Sequence, residues 1–129
     1  MRREGGSMKL MYVELKSGYN DDGPAWIGWV RESKTGRTLY FNGHAFQHVK
    51  GYAGNYVDVE TDEVYWISGP KKDGSDRHWA GHGPIVVAQS AVEEYLCYIG
   101  ATSLNPHRYV VEDINDDFPV ERINQLMNE

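Results

Sequence analysis

Turn residues cut the chain into short runs dense in Trp, Tyr, Phe and branched aliphatics, most clearly between Trp26 and Trp79. That pattern predicts a series of short antiparallel strands. Lys9 to Lys16 reads as a first strand, closed by the loop Ser17, Gly18, Asn20, Asp21, Asp22, Gly23 and Pro24. Ala25 to Glu32 follows with Ile27 and Trp29 on one face and Trp26 and Val30 on the other. A strand apolar on both faces is either covered on both sides or leaves a Trp in water. Ser33-Lys34-Thr35-Gly36 is a tight turn returning the chain as Arg37 to Phe41, and Asn42 to Gly54 reads as a long connection. Tyr56 to Val59 and Glu63 to Ser68 form a second hairpin. Lys71-Lys72-Asp73-Gly74 is a third turn, leading into strands at Asp76 to Trp79 and Ile85 to Ala88.

The apolar period then changes from two to 3.6. Ser90 and Glu93 fit a capping box, and Val92, Tyr95, Leu96 and Ile99 share one helical face, so a helix is predicted over Ala91 to Ile99 with Gly100 as its C-terminal cap. Leu96 is expected to seal it against the sheet. Arg108 to Ile114 reads as a further strand without an evident partner, and Pro119 to Asn128 as a closing helix with Val120, Ile123 and Met127 on one face. The predicted fold is mainly β with a C-terminal helix (α+β): a small, partly open SH3-like antiparallel barrel or meander capped by one or two short helices. The alternative is an open sheet with both helices on one face.

A length of 129 residues suits one domain, here residues 8–129, with residues 1–7 read as a leader or a disordered end. The net charge of −6 is concentrated in the stretch from Arg108 on, and no basic stripe of the kind phosphate binding uses is present. Lys71, Lys72 and Arg77 are interrupted by Asp73 and Asp76, so nucleic acid is not the expected partner. A single cysteine rules out an intrachain disulfide and a cysteine-based zinc site, and fits a cytoplasmic setting. No run approaches the ~20 apolar residues of a membrane helix.

Two His-x3-His pairs, His44 with His48 and His78 with His82, have the spacing that puts two imidazoles on one face of a helix. Their surroundings read as loop, with Gly81 inside the second pair, so polar rim histidines are the plainer interpretation and no metal or other cofactor is implied. Asp76-Arg77-His78-Trp79 is the sharper cluster, since on a strand Asp76 and His78 share a face and the carboxylate orients the ring. The plainer alternative is an exposed ion pair beside a packing Trp. The many aromatics, Trp26, Trp29, Trp66, Trp79, Tyr40, Tyr52, Tyr56 and Tyr65, serve either as core or as a stacking platform. Cys97, inside the predicted helix, reads as a buried or half-buried filler. The acidic loops at Asn20 to Gly23 and Asn115 to Asp117 lack calcium-loop spacing and fit turn chemistry.

The segments Glu14-Leu15-Lys16-Ser17-Gly18-Tyr19-Asn20-Asp21-Asp22-Gly23-Pro24-Ala25-Trp26-Ile27-Gly28, Gly36-Arg37-Thr38-Leu39-Tyr40-Phe41-Asn42-Gly43 and Asp76-Arg77-His78-Trp79-Ala80-Gly81 resemble a family of short uncharacterised bacterial proteins, over roughly Lys9 to Ile99. Members are sometimes labelled 1-deoxy-D-xylulose-5-phosphate synthase. That synthase holds thiamine diphosphate through a metal with a Gly-Asp-Gly segment and a later Asn, between large α/β domains. The present chain has no Gly-Asp-Gly and is several-fold shorter, so the resemblance implies no thiamine-diphosphate chemistry.

The residues lead to a small non-enzymatic binding module whose patch comprises Arg77, His78 and Trp79 with Trp26 and Tyr40. Its partner would be a peptide, a small polar ligand or a protein, including a second copy of the chain. The alternative is a small hydrolase-like or metal-assisted enzyme built on His78, Asp76 and another histidine.

Overall fold

The computed structural model describes residues 8–19, 22–50, 54–77 and 83–114. Among them are eight strands and one short α-helix, in the order β1 (Met8–Leu15), β2 (Ala25–Glu32), β3 (Thr38–Phe41), β4 (His44–His48), β5 (Tyr56–Asp58), β6 (Val64–Ser68), β7 (Ile85–Ala88), α1 (Val92–Ile99) and β8 (Tyr109–Glu112). β1 pairs antiparallel with both β2 and β6, which closes the circle β1–β6–β5–β4–β3–β2 into a six-stranded barrel. The architecture matches the small helix-capped barrel expected from the sequence, and full closure leaves none of its six strands at an edge.

β2 serves three neighbours. One edge follows β1 from Ala25 to Arg31; the other pairs parallel with β7 over Ala25–Ile27 and antiparallel with β3 at Arg31 and Glu32. β8 adds parallel to β7, with Ile85 opposite Tyr109, and α1 supplies the crossover. The two added strands are therefore parallel, whereas the barrel is antiparallel throughout. This gives the strand at Tyr109 the partner that its sequence left undefined. Gly28 lies at the fork: a Cβ there would come 2.7 Å from the Phe41 ring and 3.3 Å from the Ala88 methyl.

Because successive side chains of a strand alternate, β1 and β2 feed two cores. Val13, Val30, Leu39, Phe41, Phe46, Tyr65 and Ile67 fill the barrel. Tyr12, Ala25, Ile27, Ile85, Val87, Tyr95 and Tyr109 form a second cluster on the outer wall, beneath α1. Both faces of β2 are thus covered, the first of the two outcomes its pattern allowed.

Four expectations need correction. Asn42 to Gly54 is not one long connection, because Asn42 (φ 54°) and Gly43 (φ 80°) make a two-residue hairpin turn and His44–His48 becomes β4. The capping box does not form: Gln89–Ala91 is a 3-10 turn, α1 starts at Val92 with no side-chain cap, and the Ser90 carbonyl instead accepts the Trp29 indole N–H at 3.3 Å. Tyr95, not Leu96, is the fully buried residue of α1, while Leu96 is half-buried. On the far face of the helix Cys97 is exposed rather than a packing filler. Gly100 does take the left-handed cap conformation, at φ 72°. The closing helix proposed for Pro119 to Asn128 and the segment 1–7 lie outside the described residues. Among the described residues no helix is long and apolar enough to cross a membrane.

Candidate functional site

The Lys71–Gly74 turn forms as its sequence predicts, with the Gly74 N–H bonded to the Lys71 carbonyl at 3.0 Å and Gly74 at φ 75°. Asp76 and Arg77 then do not continue as a strand. The Asp76 carboxylate turns back to accept the Lys71 backbone N–H at 2.8 Å, which closes the loop on itself. Its other oxygen, Oδ2, is buried with no hydrogen-bond partner among the described residues, and burial raises its pKa above the ordinary aspartate value. Arg77 donates through Nη2 to the carbonyls of Gly23 at 3.0 Å and Pro84 at 3.3 Å, tying the β1–β2 loop to the approach of β7. Tyr98, from α1, also holds the loop, donating its hydroxyl to the Pro70 carbonyl at 2.8 Å.

This loop lies beside the outer face of β1 and β6. On that face Tyr12 is opposite Ser68, and Glu14 is opposite Trp66. Tyr12 donates its phenol to Glu14 Oε1 at 2.5 Å, and Lys16 Nζ reaches Glu14 Oε2 at 3.1 Å. Glu14 is 2% exposed. Burial, the bond to Glu14 and its charge drive the Tyr12 pKa upward, with Arg77 opposing and Asp76 adding to the rise. The charges of the loop therefore act directly on this face.

Trp66 is the large aromatic standing out of it, 42% exposed, with its indole N–H bonded to Ser68 Oγ at 3.1 Å. Across the β1–β6 pair Trp66 is directly opposite Glu14, on the same face of the sheet. Tyr19, in the loop whose Gly23 carbonyl Arg77 grips, is also exposed.

The residues singled out from sequence are distributed unevenly around this surface. Arg77 belongs to it. Trp26 is half-buried and packs edge-on against Phe41 at 6.3 Å, while Tyr40 is 4% exposed in a small cluster with Ala45. Tyr40 therefore presents no open face to a ligand. His78, Trp79 and His82 lie outside the described residues, as do Tyr52 and the acidic loop at Asn115 to Asp117. Trp66 entered the sequence reading only as one of many aromatics, and Glu14 and Lys16 only within a quoted segment. Alternation carried the missing signal: Trp66 has opposite parity to Tyr65 and Ile67, and Tyr12, Glu14 and Lys16 share one parity.

A second polar constellation sits at β4 and β5. His44 Nδ1 lies 2.9 Å from Oδ2 of Asp58, which is fully buried and whose Oδ1 accepts the Glu60 N–H at 2.8 Å. Tyr65 is close enough that burial, then the Asp58 and Glu63 charges, push its pKa up to about 12. His48, four residues along the same strand, stacks edge-on with Tyr56 at 5.5 Å rather than joining His44. Among the described residues no three His, Cys, Asp or Glu side chains are placed to hold a metal ion.

No family model matches the chain, and neither a curated protein nor a solved structure matches it.

Proposed function

We propose that the protein is a small binding module whose recognition surface is the outer face of β1 and β6 together with the Pro70–Arg77 loop. The observation that carries this reading is Trp66: a large ring 42% exposed on a sheet face, its edge fixed by Ser68, beside charged groups held by buried neighbours. Rigid aromatics next to fixed charges are what recognition sites favour, since little side-chain entropy is lost when a partner lands on them. Arg77 supports the surface by fixing two loops through its guanidinium. In this reading the resemblance to short bacterial proteins reflects kinship without thiamine-dependent chemistry.

The test begins with ligands or partners recovered with the protein and identified by mass spectrometry. Their affinity is then measured against Trp66→Ala, Arg77→Ala and the remote control Lys34→Ala. A tenfold or greater loss in Trp66→Ala with an unchanged control is the expected result, corresponding to ~1.4 kcal/mol. Unchanged affinity in both test variants removes the surface.

The His44–Asp58 pair favours a second reading, acid–base catalysis, because a buried carboxylate orienting an accessible imidazole is the arrangement a general base requires. The dyad is then His44 with Asp58 rather than His78 with Asp76. Ester-hydrolysis activity abolished by His44→Ala in a folded protein would support it.

A further inference from the structure

We infer that Trp66 and Glu14 form a binding site for a cationic side chain of a basic peptide, and that Lys16 is its built-in occupant. The inference rests on the binding-module reading and assigns the partner's chemistry.

The argument starts from pairing. Glu14 and Trp66 are directly opposite on adjacent antiparallel strands, so their side chains share a face with Cβ atoms ~5 Å apart. The indole N–H is engaged by Ser68 and the residue is 42% exposed, so a cation reaching the ring meets its π-system rather than a free donor. Beside it is a carboxylate almost wholly withdrawn from water. Among the described residues its side-chain partners are the Tyr12 hydroxyl and the Lys16 ammonium. A buried carboxylate requires a positive partner, and here that partner comes from a long side chain just past the end of β1. A Lys or Arg from another chain would satisfy the same carboxylate while covering the indole.

The surroundings favour a cation as the visitor. β6 is entered from the turn Glu60-Thr61-Asp62-Glu63, in which Glu60 and Asp62 are exposed. Asp73 and Asp76 lie beyond the other end of the strand. Lys71, Lys72 and Arg77 stand with those two aspartates, so the loop adds no net acidity and the Glu60–Glu63 turn is the side that draws a cation. An incoming basic peptide meets an acidic hairpin first and a π-face backed by a carboxylate next.

If Lys16 occupies the site, it competes with the partner, and the apparent affinity is reduced by the fraction of time it is in place. Removing it opens the site. The experiment is calorimetric titration of the full chain with pentalysine, pentaglutamate and pentaproline, repeated with Lys16→Met, Glu14→Gln and Trp66→Ala, each checked for cooperative melting. The expected result is saturable binding of pentalysine alone, several-fold tighter in Lys16→Met and lost in Trp66→Ala and Glu14→Gln. Pentalysine should also restore the melting temperature that Lys16→Met loses by leaving Glu14 without a cation. Binding of pentalysine unaffected by Trp66→Ala, or no tighter in Lys16→Met, overturns the inference, as does the absence of saturable pentalysine binding. Pentaglutamate or pentaproline binding that Trp66→Ala abolishes also overturns the cationic assignment while leaving the binding-module reading standing.

Discussion

The side chain of Asn55 acts as a strand residue for Ile67. Its carboxamide nitrogen donates to the Ile67 carbonyl and its oxygen accepts the Ile67 N–H, both at 2.8 Å, continuing the β5–β6 ladder just before β5 begins at Tyr56. Nearby, the Asn55 backbone N–H donates to the Tyr65 carbonyl at 3.0 Å, and an added Cβ on Gly54 would collide with that same carbonyl. Asn55→Ala removes two hydrogen bonds and leaves a strand N–H and C=O of Ile67 without those partners. A loss of ~2–3 kcal/mol is expected in urea unfolding, from ~1 kcal/mol per bond plus the cost of the abandoned groups. A loss below ~0.5 kcal/mol would mean that water replaces the carboxamide at no cost.

The buried tyrosines set a limit on the alkaline side. Burial raises the pKa values of Tyr12, Tyr65 and Tyr95, and Tyr95 shares a 3.0 Å hydroxyl bond with Tyr109 under α1. The folded chain therefore keeps phenolic protons that the unfolded chain releases from about pH 10 upward. Stability is fully present below pH 10 and falls as pH rises above it, with a slope set by the number of protons lost on unfolding. Tyr95→Phe removes one of these protons and shallows that slope, at the cost of the bond to Tyr109. Melting temperatures between pH 8 and pH 11.5 read both effects, and a flat profile would place these phenols in contact with water.

The legibility of this fold varied with how local its causes are. The period-two runs at β1, β2 and β6 and the period-3.6 face of α1 could be read because alternation and helical spacing are local. The Asn42-Gly43 turn was equally local, but its position beside two histidines directed attention to metal spacing instead of to the hairpin it encodes. The pairing of β8 with β7 could not be read at all, since a parallel partner depends on where the crossover helix lands. Tyr95 rather than Leu96 became the buried anchor because the 3-10 turn before α1 and the Tyr109 hydroxyl together fix the helix's rotation. For the site, Arg77 was singled out as a residue of a strand Asp76 to Trp79, whereas Asp76 and Arg77 lie in a loop. Trp66 was obscured by seven other tryptophans and tyrosines of similar promise, and the importance of Glu14 appears only when β6 is laid against β1.

Gly28 tests the fork in β2. A methyl group there meets the Phe41 ring in the barrel core and the Ala88 methyl of β7. Phe41 is 4% exposed and contacts Trp26 edge-on, so it has little room to retreat. Gly28→Ala should cost ~1–3 kcal/mol, as overpacking of a dense core does, measured as a fall in the denaturation midpoint at unchanged m-value. Wild-type stability would show that the ring moves aside freely.

Thiamine diphosphate should not bind. Among the described residues no three His, Cys, Asp or Glu side chains are placed to hold the metal that would carry a diphosphate, and the chain lacks the Gly-Asp-Gly segment of the synthase. Calorimetric titration with the cofactor and magnesium should show no saturable heat, and pyruvate with glyceraldehyde 3-phosphate should give no condensation product. Micromolar binding would reverse this expectation.

His44 and Asp58 should behave as a coupled pair whether or not they catalyse anything. Asp58 is withdrawn from water, with Oδ1 on the Glu60 N–H and Oδ2 on His44, while the His44 side chain is 41% exposed. His44→Ala leaves the carboxylate with one fewer hydrogen bond, but water can reach the vacated position, so the loss should fall below the ~3–5 kcal/mol seen when a fully buried pair is broken. Asp58→Leu removes the acceptor from both the imidazole and the Glu60 N–H and places a larger apolar group opposite Phe46. Its cost should exceed that of His44→Ala. In the double variant the imidazole is absent when the carboxylate goes, so the combined loss should be smaller than the sum of the single losses by at least ~0.5 kcal/mol. Urea unfolding of the four proteins closes the cycle, and strict additivity would show that the 2.9 Å contact contributes nothing to the fold.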